Sequence, residues 1–570
     1  MKKLSSYIMK YKWKYAIAIF SLFMAVTLDM FAPRLTQILV DDVLIGKSLK
    51  TFLWVLLAFA GLGIGKAVFQ YVKEYTFDKT ANAISVEIRR DLFNHIQSLS
   101  ASYFDKTNTG EIMSRVKDDV DRIWDGIGFV GMLLIEVIYH TIAVLVSMAV
   151  LNWKMTLLPI LAILICGSVA IIMEWSLGKI YGDISEENAV LNTVAEENLG
   201  GVRTVKSFAR EDFEIRKFLS HNKKYYDLNM KQSKVFVRYY PVFSVVTKLL
   251  PISVLLLGGH YVVEQSMSIG ELSALVEYSM NIVWPMEMLG WLTNCFSQAV
   301  ASNKKLKKIY AEKPTVLEAE HPVELPFVQG QITFEQVGFH RGEKKQILQD
   351  INLELKPGQT LGIMGETGSG KTSIVQLLQR VYDVTEGSIK LDGVDIRELS
   401  LSTVRSSIAC VAQDVFLFSD TIEENINLGK RGKISKEETV AAARAAWAEE
   451  FIQNLEETYD TVIGERGVGL SGGQKQRISI ARALAKKAPI LVFDDATSAL
   501  DVETEKEIQK MLRELNDVTK IIVGHRISAV RYADEILVLK RGRIAERGTH
   551  ESLMGQKGLY YETYLSQYGA

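Results

Sequence analysis

Residues 155–173 contain no charged side chain, and an apolar run of that length has few places to go in water. About 20 mostly apolar residues in helical form cross the hydrocarbon core of a bilayer. Stretches 14–32, 51–71, 126–151, 240–263 and 272–299 fit the same description with one or two charges each, so the sequence predicts six membrane spans. The first follows the basic flank MKKLSSYIMKYKWK and continues to residue 32 with no small-residue cleavage site. It therefore reads as a retained span and not as a signal peptide. Short links at 152–154 and 264–270 join spans on one side of the membrane. On the other side, spans two and three, and four and five, are separated by long polar segments too regularly patterned for ordinary loops, which predicts helices projecting beyond the bilayer. These segments carry Lys73, Lys79, Arg89, Arg90, Arg115 and Lys117, then Arg203, Lys206, Arg210, Lys223, Lys224 and Lys231. Basic residues near span ends favour the cytoplasmic face, so both long segments and both termini are expected there.

At 570 residues the chain exceeds one hydrophobic core. Its 48% hydrophobic and 23% charged residues suit a mixture of an apolar and a soluble part. A formal net charge of -1 argues against a nucleic-acid binder that works by neutralising phosphates. Cys166, Cys295 and Cys410 are far apart, without metal-ligand spacing, and read as free thiols. After residue 301 the chain turns charged, with Pro314, Pro322 and Pro326 interrupting it. The expected organisation is a membrane α-helical domain over 1–305, a linker over 306–327, and an α/β P-loop nucleotide-binding domain over 328–570, where strand-like and helix-like runs alternate.

The chemistry is concentrated in that last part. Gly365, Glu366, Thr367, Gly368, Ser369, Gly370, Lys371 and Thr372 spell GETGSGKT between a strand-like run and a helix-like one that includes Ser373. Glycines let backbone N–H groups close around phosphate oxygens, Lys371 reaches the terminal phosphates, and the Thr372 hydroxyl is a magnesium ligand. Residues 489–495, PILVFDD, read as a buried strand ending in Asp494, which suits the magnesium shell. ATP and Mg2+ are therefore the expected cofactors.

Residues 470–474 read LSGGQ, and this resembles the signature of ATP-binding cassette (ABC) proteins. Gln413 resembles their Q-loop glutamine, 464–467 the exporter X-loop, 498–501 the D-loop and His525 the switch histidine. SYFDKTNTGEIMSRVKDDVD from Ser102 and ENLGGVRTVKSFARE from Glu197 resemble the two intracellular loops of ABC exporters. The resemblance implies a dimer in a lipid bilayer, with each ATP sandwiched between one P-loop and the partner's signature loop. Ser471, Gly472, Gly473 and Gln474 would then contact ATP held by the second half-transporter. The resemblance also gives Gln413 and Asp494 to the metal along with Thr372, and gives catalytic roles to Gln413, His525 and Asp495.

Two positions depart from the family pattern. The residue after the metal-binding aspartate is usually glutamate, which polarises the attacking water, and here it is Asp495. A carboxylate one methylene shorter sits about 1 Å back, and a displacement of that order costs about a hundredfold. Where an aromatic side chain usually stacks on adenine the chain has His340 and Arg341; either could still stack there, and Arg341 is counted among the expected ATP-binding residues. In similar exporters such an aspartate accompanies a heterodimer with one impaired ATP site. A homodimer with slow hydrolysis is the alternative.

In the membrane half, Glu136 and His140 share a helix face at i, i+4, and Glu277 and Glu287 lie in the sixth span. They either meet a substrate or hydrogen-bond between helices. Trp284, Met288 and Trp291 form one stripe, suited to a hydrophobic or amphiphilic substrate or to packing. Pro159, Pro241, Pro251 and Pro285 mark bends. The expected function is ATP-driven export by alternating access, coupled through 104–110 and 199–208, with multidrug, lipid and peptide substrates all open.

Overall fold

A computed structural model describes residues 4–569 apart from 343, 344, 431, 465, 466 and 468, and the side chains of Leu289, Thr293 and Lys345 lie outside the description. The expected X-loop therefore has Glu465 and Arg466 outside the described residues. The chain divides into two compact units, Met1–Gln97 with Asn108–Glu312, and Ser98–Thr107 with Lys313–Ala570.

The first unit is helical. Among the described residues, Lys12–Ile45, Leu49–Ser98, Thr109–Gly200 and Glu211–Val263 are long and apolar enough to cross a membrane. At 1.5 Å per residue, the 50 residues of Leu49–Ser98 make a rod of about 75 Å, against about 30 Å of hydrocarbon. This helix and the 53-residue Glu211–Val263 are thus membrane spans continued as the expected projections. The third and fourth spans share Phe129–Gly200, which has non-helical backbone at Asn152. The Asn152 side-chain oxygen accepts from the backbone N–H of Lys154 at 3.1 Å and of Met155 at 3.4 Å, capping the second rod. The sixth span is divided into Ile269–Asn281 and Val283–Ala311. Pro285 supplies no N–H for the carbonyl of Asn281, which accounts for a break at this point. Pro159, Pro241 and Pro251 sit inside continuous helices.

Glu136 is paired within this unit, whereas His140 Nε2 is buried with no hydrogen-bond partner among the described residues. Lys73 is 2% exposed and pairs with Glu136 at 2.9 Å. Trp284 lies edge-on to His140 at 6.3 Å, and Trp291 edge-on to Phe129 at 6.4 Å. Met288 packs against Val130, Val137 and Leu292. Much of the aromatic stripe therefore serves packing against the third span, while Glu287 is exposed.

Val283–Ala311 also corrects the expected domain boundary at 305. The helix continues because Leu306 and Ile309, three positions apart, are buried, while the lysines around them take the outer face.

Among the described residues of the second unit, ten strands form two sheets. β1 (Ile332–Arg341), β2 (Lys345–Leu355), β4 (Glu386–Leu391) and β5 (Val394–Asp395) form an antiparallel sheet in the order β2-β1-β4-β5. β3 (Thr360–Gly365), β6 (Ile408–Val411), β7 (Ile490–Asp494), β8 (Thr519–Val523), β9 (Glu535–Lys540) and β10 (Arg543–Gly548) form the other, in the order β10-β9-β3-β8-β7-β6. It is parallel except at β10–β9. Every residue of β7 and β8 is buried, as interior strands of a parallel sheet require. Ser98–Thr107 belongs to this unit. Ser100 Oγ accepts from the N–H of Thr315 at 2.8 Å and of Val316 at 3.0 Å, and Ala101 packs on the core between the sheets.

Candidate active site

Ligands in open parallel sheets sit beyond the carboxyl ends of the strands, and the expected chemistry collects there. β3 ends on Gly365, β7 on Asp494, Gln413 follows β6, and His525 follows β8. Thr367, Gly368, Gly370, Lys371, Thr372, Ser373, Gln413, Asp494, Asp495 and His525 line one cavity of about 660 Å³. Gly365 and Glu366 border a smaller neighbouring cavity that His525 also reaches.

The P-loop glycines have physical reasons to be glycine. Gly365, Gly368 and Gly370 have φ of 147, 82 and 104°, which side chains disfavour. A Cβ on Gly370 would stand 2.6 Å from a Leu348 methyl, whereas Gly368 faces open space. Gly370 leads into the helix Lys371–Leu378, whose first N–H groups are free for an anion. Ser369 Oγ is buried without a hydrogen-bond partner among the described residues. Lys371 Nζ donates to the carbonyls of Gly365 at 2.7 Å and Glu366 at 2.9 Å. Burial pulls its ammonium below the usual lysine range, against the opposing pull of Asp495 and Asp494. Thr372 Oγ1 donates to Asp494 Oδ1 at 3.3 Å. Burial raises the Asp494 carboxyl; the Thr372 hydrogen bond works against the rise and the nearby Asp495 adds to it. A strained cation and two close carboxylates suit a triphosphate and a hard divalent cation, for which Thr372, Gln413 and Asp494 offer oxygen donors.

Asp495 has φ of 49° and donates its N–H to the Val523 carbonyl at 2.8 Å. Aspartate accepts this left-handed backbone more readily than most residues, and the hydrogen bond to β8 fixes it.

Arg341, expected at adenine, is not among the residues that line this cavity. Its guanidinium pairs with Asp105 at 2.7 Å and lies over the Tyr382 ring at 5.6 Å. The Tyr382 hydroxyl also donates to Asp105, at 2.8 Å. Burial works to raise the Asp105 carboxyl, but the bonds from Arg341 and Tyr382 outweigh it and leave the group below its usual range. The Arg341 side chain is thus held by a charge on residues 98–107. No local motif in the sequence marks the Arg341–Asp105–Tyr382 cluster.

Residues 471–474 do not line the cavity. Ser471 caps the helix Gly472–Ala485 in a reciprocal box with Gln474, which leaves the N–H groups of Gly472 and Gly473 at the helix start available to an anion.

A helical membrane unit joined to a P-loop unit that carries LSGGQ defines an ATP-hydrolysing membrane transporter. The chain belongs to the ABC transporter family: residues 15–286 match the family described as "ABC transporter transmembrane region" and residues 348–498 the one described as "ABC transporter". It is 35% identical over 572 residues to the uncharacterized ABC transporter ATP-binding protein YknU of Bacillus subtilis (strain 168), covering 100% of this chain and 97% of that protein. It is 34% identical over 573 residues to the ATP-dependent lipid A-core flippase of Desulfotalea psychrophila (strain LSv54 / DSM 12343), covering 100% and 99%. Among solved structures, that of a bacterial Atm1-family ABC exporter with ATP bound superposes with a TM-score of 0.84 at 27% identity, covering 98% of this chain and 99% of that one. The chain is thus an ATP-driven exporter subunit of the kind that works as a dimer.

Proposed function

We propose that this chain is the slow-site half of a heterodimeric exporter in the cytoplasmic membrane, with its nucleotide-binding unit and both termini in the cytoplasm. The observation that carries the reading is the Asp495 backbone, held to β8 by its 2.8 Å hydrogen bond. A backbone shift that brought the shorter carboxylate forward would strain that bond. Lys371 and the N–H groups of 368–372 bind and orient the phosphates, and His525 stands at the same cavity. Magnesium, held by Thr372, Gln413 and Asp494, supplies charge neutralisation at the phosphates when bound. Ser471, Gly472, Gly473 and Gln474 serve a competent site on the partner.

Closure of the two nucleotide units is passed to the membrane helices through 98–107, which Asp105 ties to Arg341 and Tyr382. The cargo is a hydrophobic or amphiphilic molecule such as a lipid or drug. The homodimer reading is favoured by one observation, that His525 and an intact LSGGQ coexist in this chain. ATPase of the full chain purified alone and reconstituted in bilayers separates the two. The expected result is slow, non-cooperative turnover; robust, cooperative, substrate-stimulated turnover would overturn the heterodimer.

A further inference from the structure

His525 lies on a short turn between β8 and the helix Ile527–Val530, and that turn is gripped by side chains from two distant helices. Gln567, on the helix Leu559–Tyr568, donates from Nε2 to the His525 carbonyl at 2.6 Å. Its Oε1 accepts from the Ile527 N–H at 2.8 Å. One amide group thus brackets Arg526 and fixes the backbone on both sides of it. Glu505, on the helix Val502–Glu514, accepts from Arg526 at 3.1 Å and from Ser528 Oγ at 3.2 Å. Glu505 is buried and Gln567 exposed.

The helix that carries Gln567 is anchored at its start. Glu546 accepts from the Leu559 and Tyr560 N–H groups, where a carboxylate also complements the helix dipole. Tyr560, 1% exposed, shares a 2.7 Å hydrogen bond with His550. The far end of the helix then delivers Gln567 to the turn.

We propose that Gln567 is a positioning residue for His525, so that the C-terminal helix controls nucleotide hydrolysis through the switch-histidine turn. This rests on the reading of His525 as a group that acts on the nucleotide. Fixing both flanks of the turn sets where the imidazole enters the cavity, and a displacement of about 1 Å costs catalysis about a hundredfold.

The test uses the full chain reconstituted in bilayers, with ATP hydrolysis followed as phosphate release and compared across Q567M, Q567E and H525A. Methionine keeps the length of glutamine without its amide. Q567M is expected to lower kcat about tenfold, with KM for ATP and melting temperature unchanged. Q567E keeps the acceptor for Ile527 and is expected to fall between Q567M and the unsubstituted chain. If H525A abolishes turnover while Q567M behaves as the unsubstituted chain, the clamp is wrong and the site reading survives. Undiminished turnover in H525A would sink the site reading and the clamp together. A fall in melting temperature or a rise in KM that matches the loss in Q567M would reduce Gln567 to a structural contact and overturn the proposal.

Discussion

The nucleotide cavity holds its charges under tension. Lys371 is pushed toward the neutral amine, and Asp494 toward the protonated acid, by their burial. A carboxyl raised in the folded state favours folding only below the usual carboxylate range and loses that contribution as pH rises through its raised value. At neutral pH Asp494 is therefore a net cost. For Lys371, with its folded value depressed, the unfolded chain holds the proton more tightly, and the cost persists until pH climbs past the ordinary lysine range. We expect Asp494→Asn to raise the melting temperature of the nucleotide-free full chain. The same variant should lose the further rise that Mg-ATP gives the unsubstituted chain. A lower melting temperature for D494N without nucleotide would refute the account. At the neighbouring position, Asp495→Glu restores the missing methylene, and we expect ATPase to increase by about tenfold or more, read as phosphate release. These residues were legible in the sequence because phosphate chemistry demands a contiguous GETGSGKT and an apolar strand ending in an acid. Gln567 was not, because it reaches His525 across 42 positions through an ordinary amide with no spacing to betray it.

Elements tell a similar story of local causes read well and remote ones missed. The break between the third and fourth spans follows from Asn152, whose side chain caps the helix that resumes after it, and its position could be read from the polar link at 152–154. We expect Asn152→Ala to cost about 1 kcal/mol, measured as a lower melting temperature in detergent. The end of Val283–Ala311 was misplaced because the lysine-rich surface of 303–308 masks the buried pair Leu306 and Ile309. The partner of Arg341 was not legible because Asp105 is far away in sequence. That ion pair is half exposed, so its loss should cost only about 0.5–1 kcal/mol of stability and show itself in coupling. Either D105R or R341D is expected to keep ATPase while cutting transport, and the double charge reversal should restore transport. Failure of the double variant to recover, with ATPase intact in all three, would remove the ion pair from the coupling path.

For the molecule as a whole, the division into a helical unit and an α/β unit was written in the distribution of apolar runs, since spans need length and buried parallel strands need continuity. The partner was not, because one chain records only its own half of an interface. Under the proposed slow-site reading Asp495 constrains that partner: such a chain needs a second one whose P-loop faces this LSGGQ. We expect affinity purification from native membranes to bring down a different half-transporter with glutamate in the equivalent place. Joint reconstitution should yield cooperative ATPase that this chain does not give by itself, and recovery of this chain alone, fully active, would refute it.

The allocation of Ser98–Thr107 to the same compact unit as Lys313–Ala570 has a consequence for dissection. The polypeptide passes between its two halves before residue 98, after residue 107 and again after residue 312. Proteolytic nicking within 313–327 would accordingly leave both fragments bound by the borrowed strap. A soluble piece expressed from residue 313 onward would lack that strap, leaving Arg341, Tyr382 and the apolar seat of Ala101 bare.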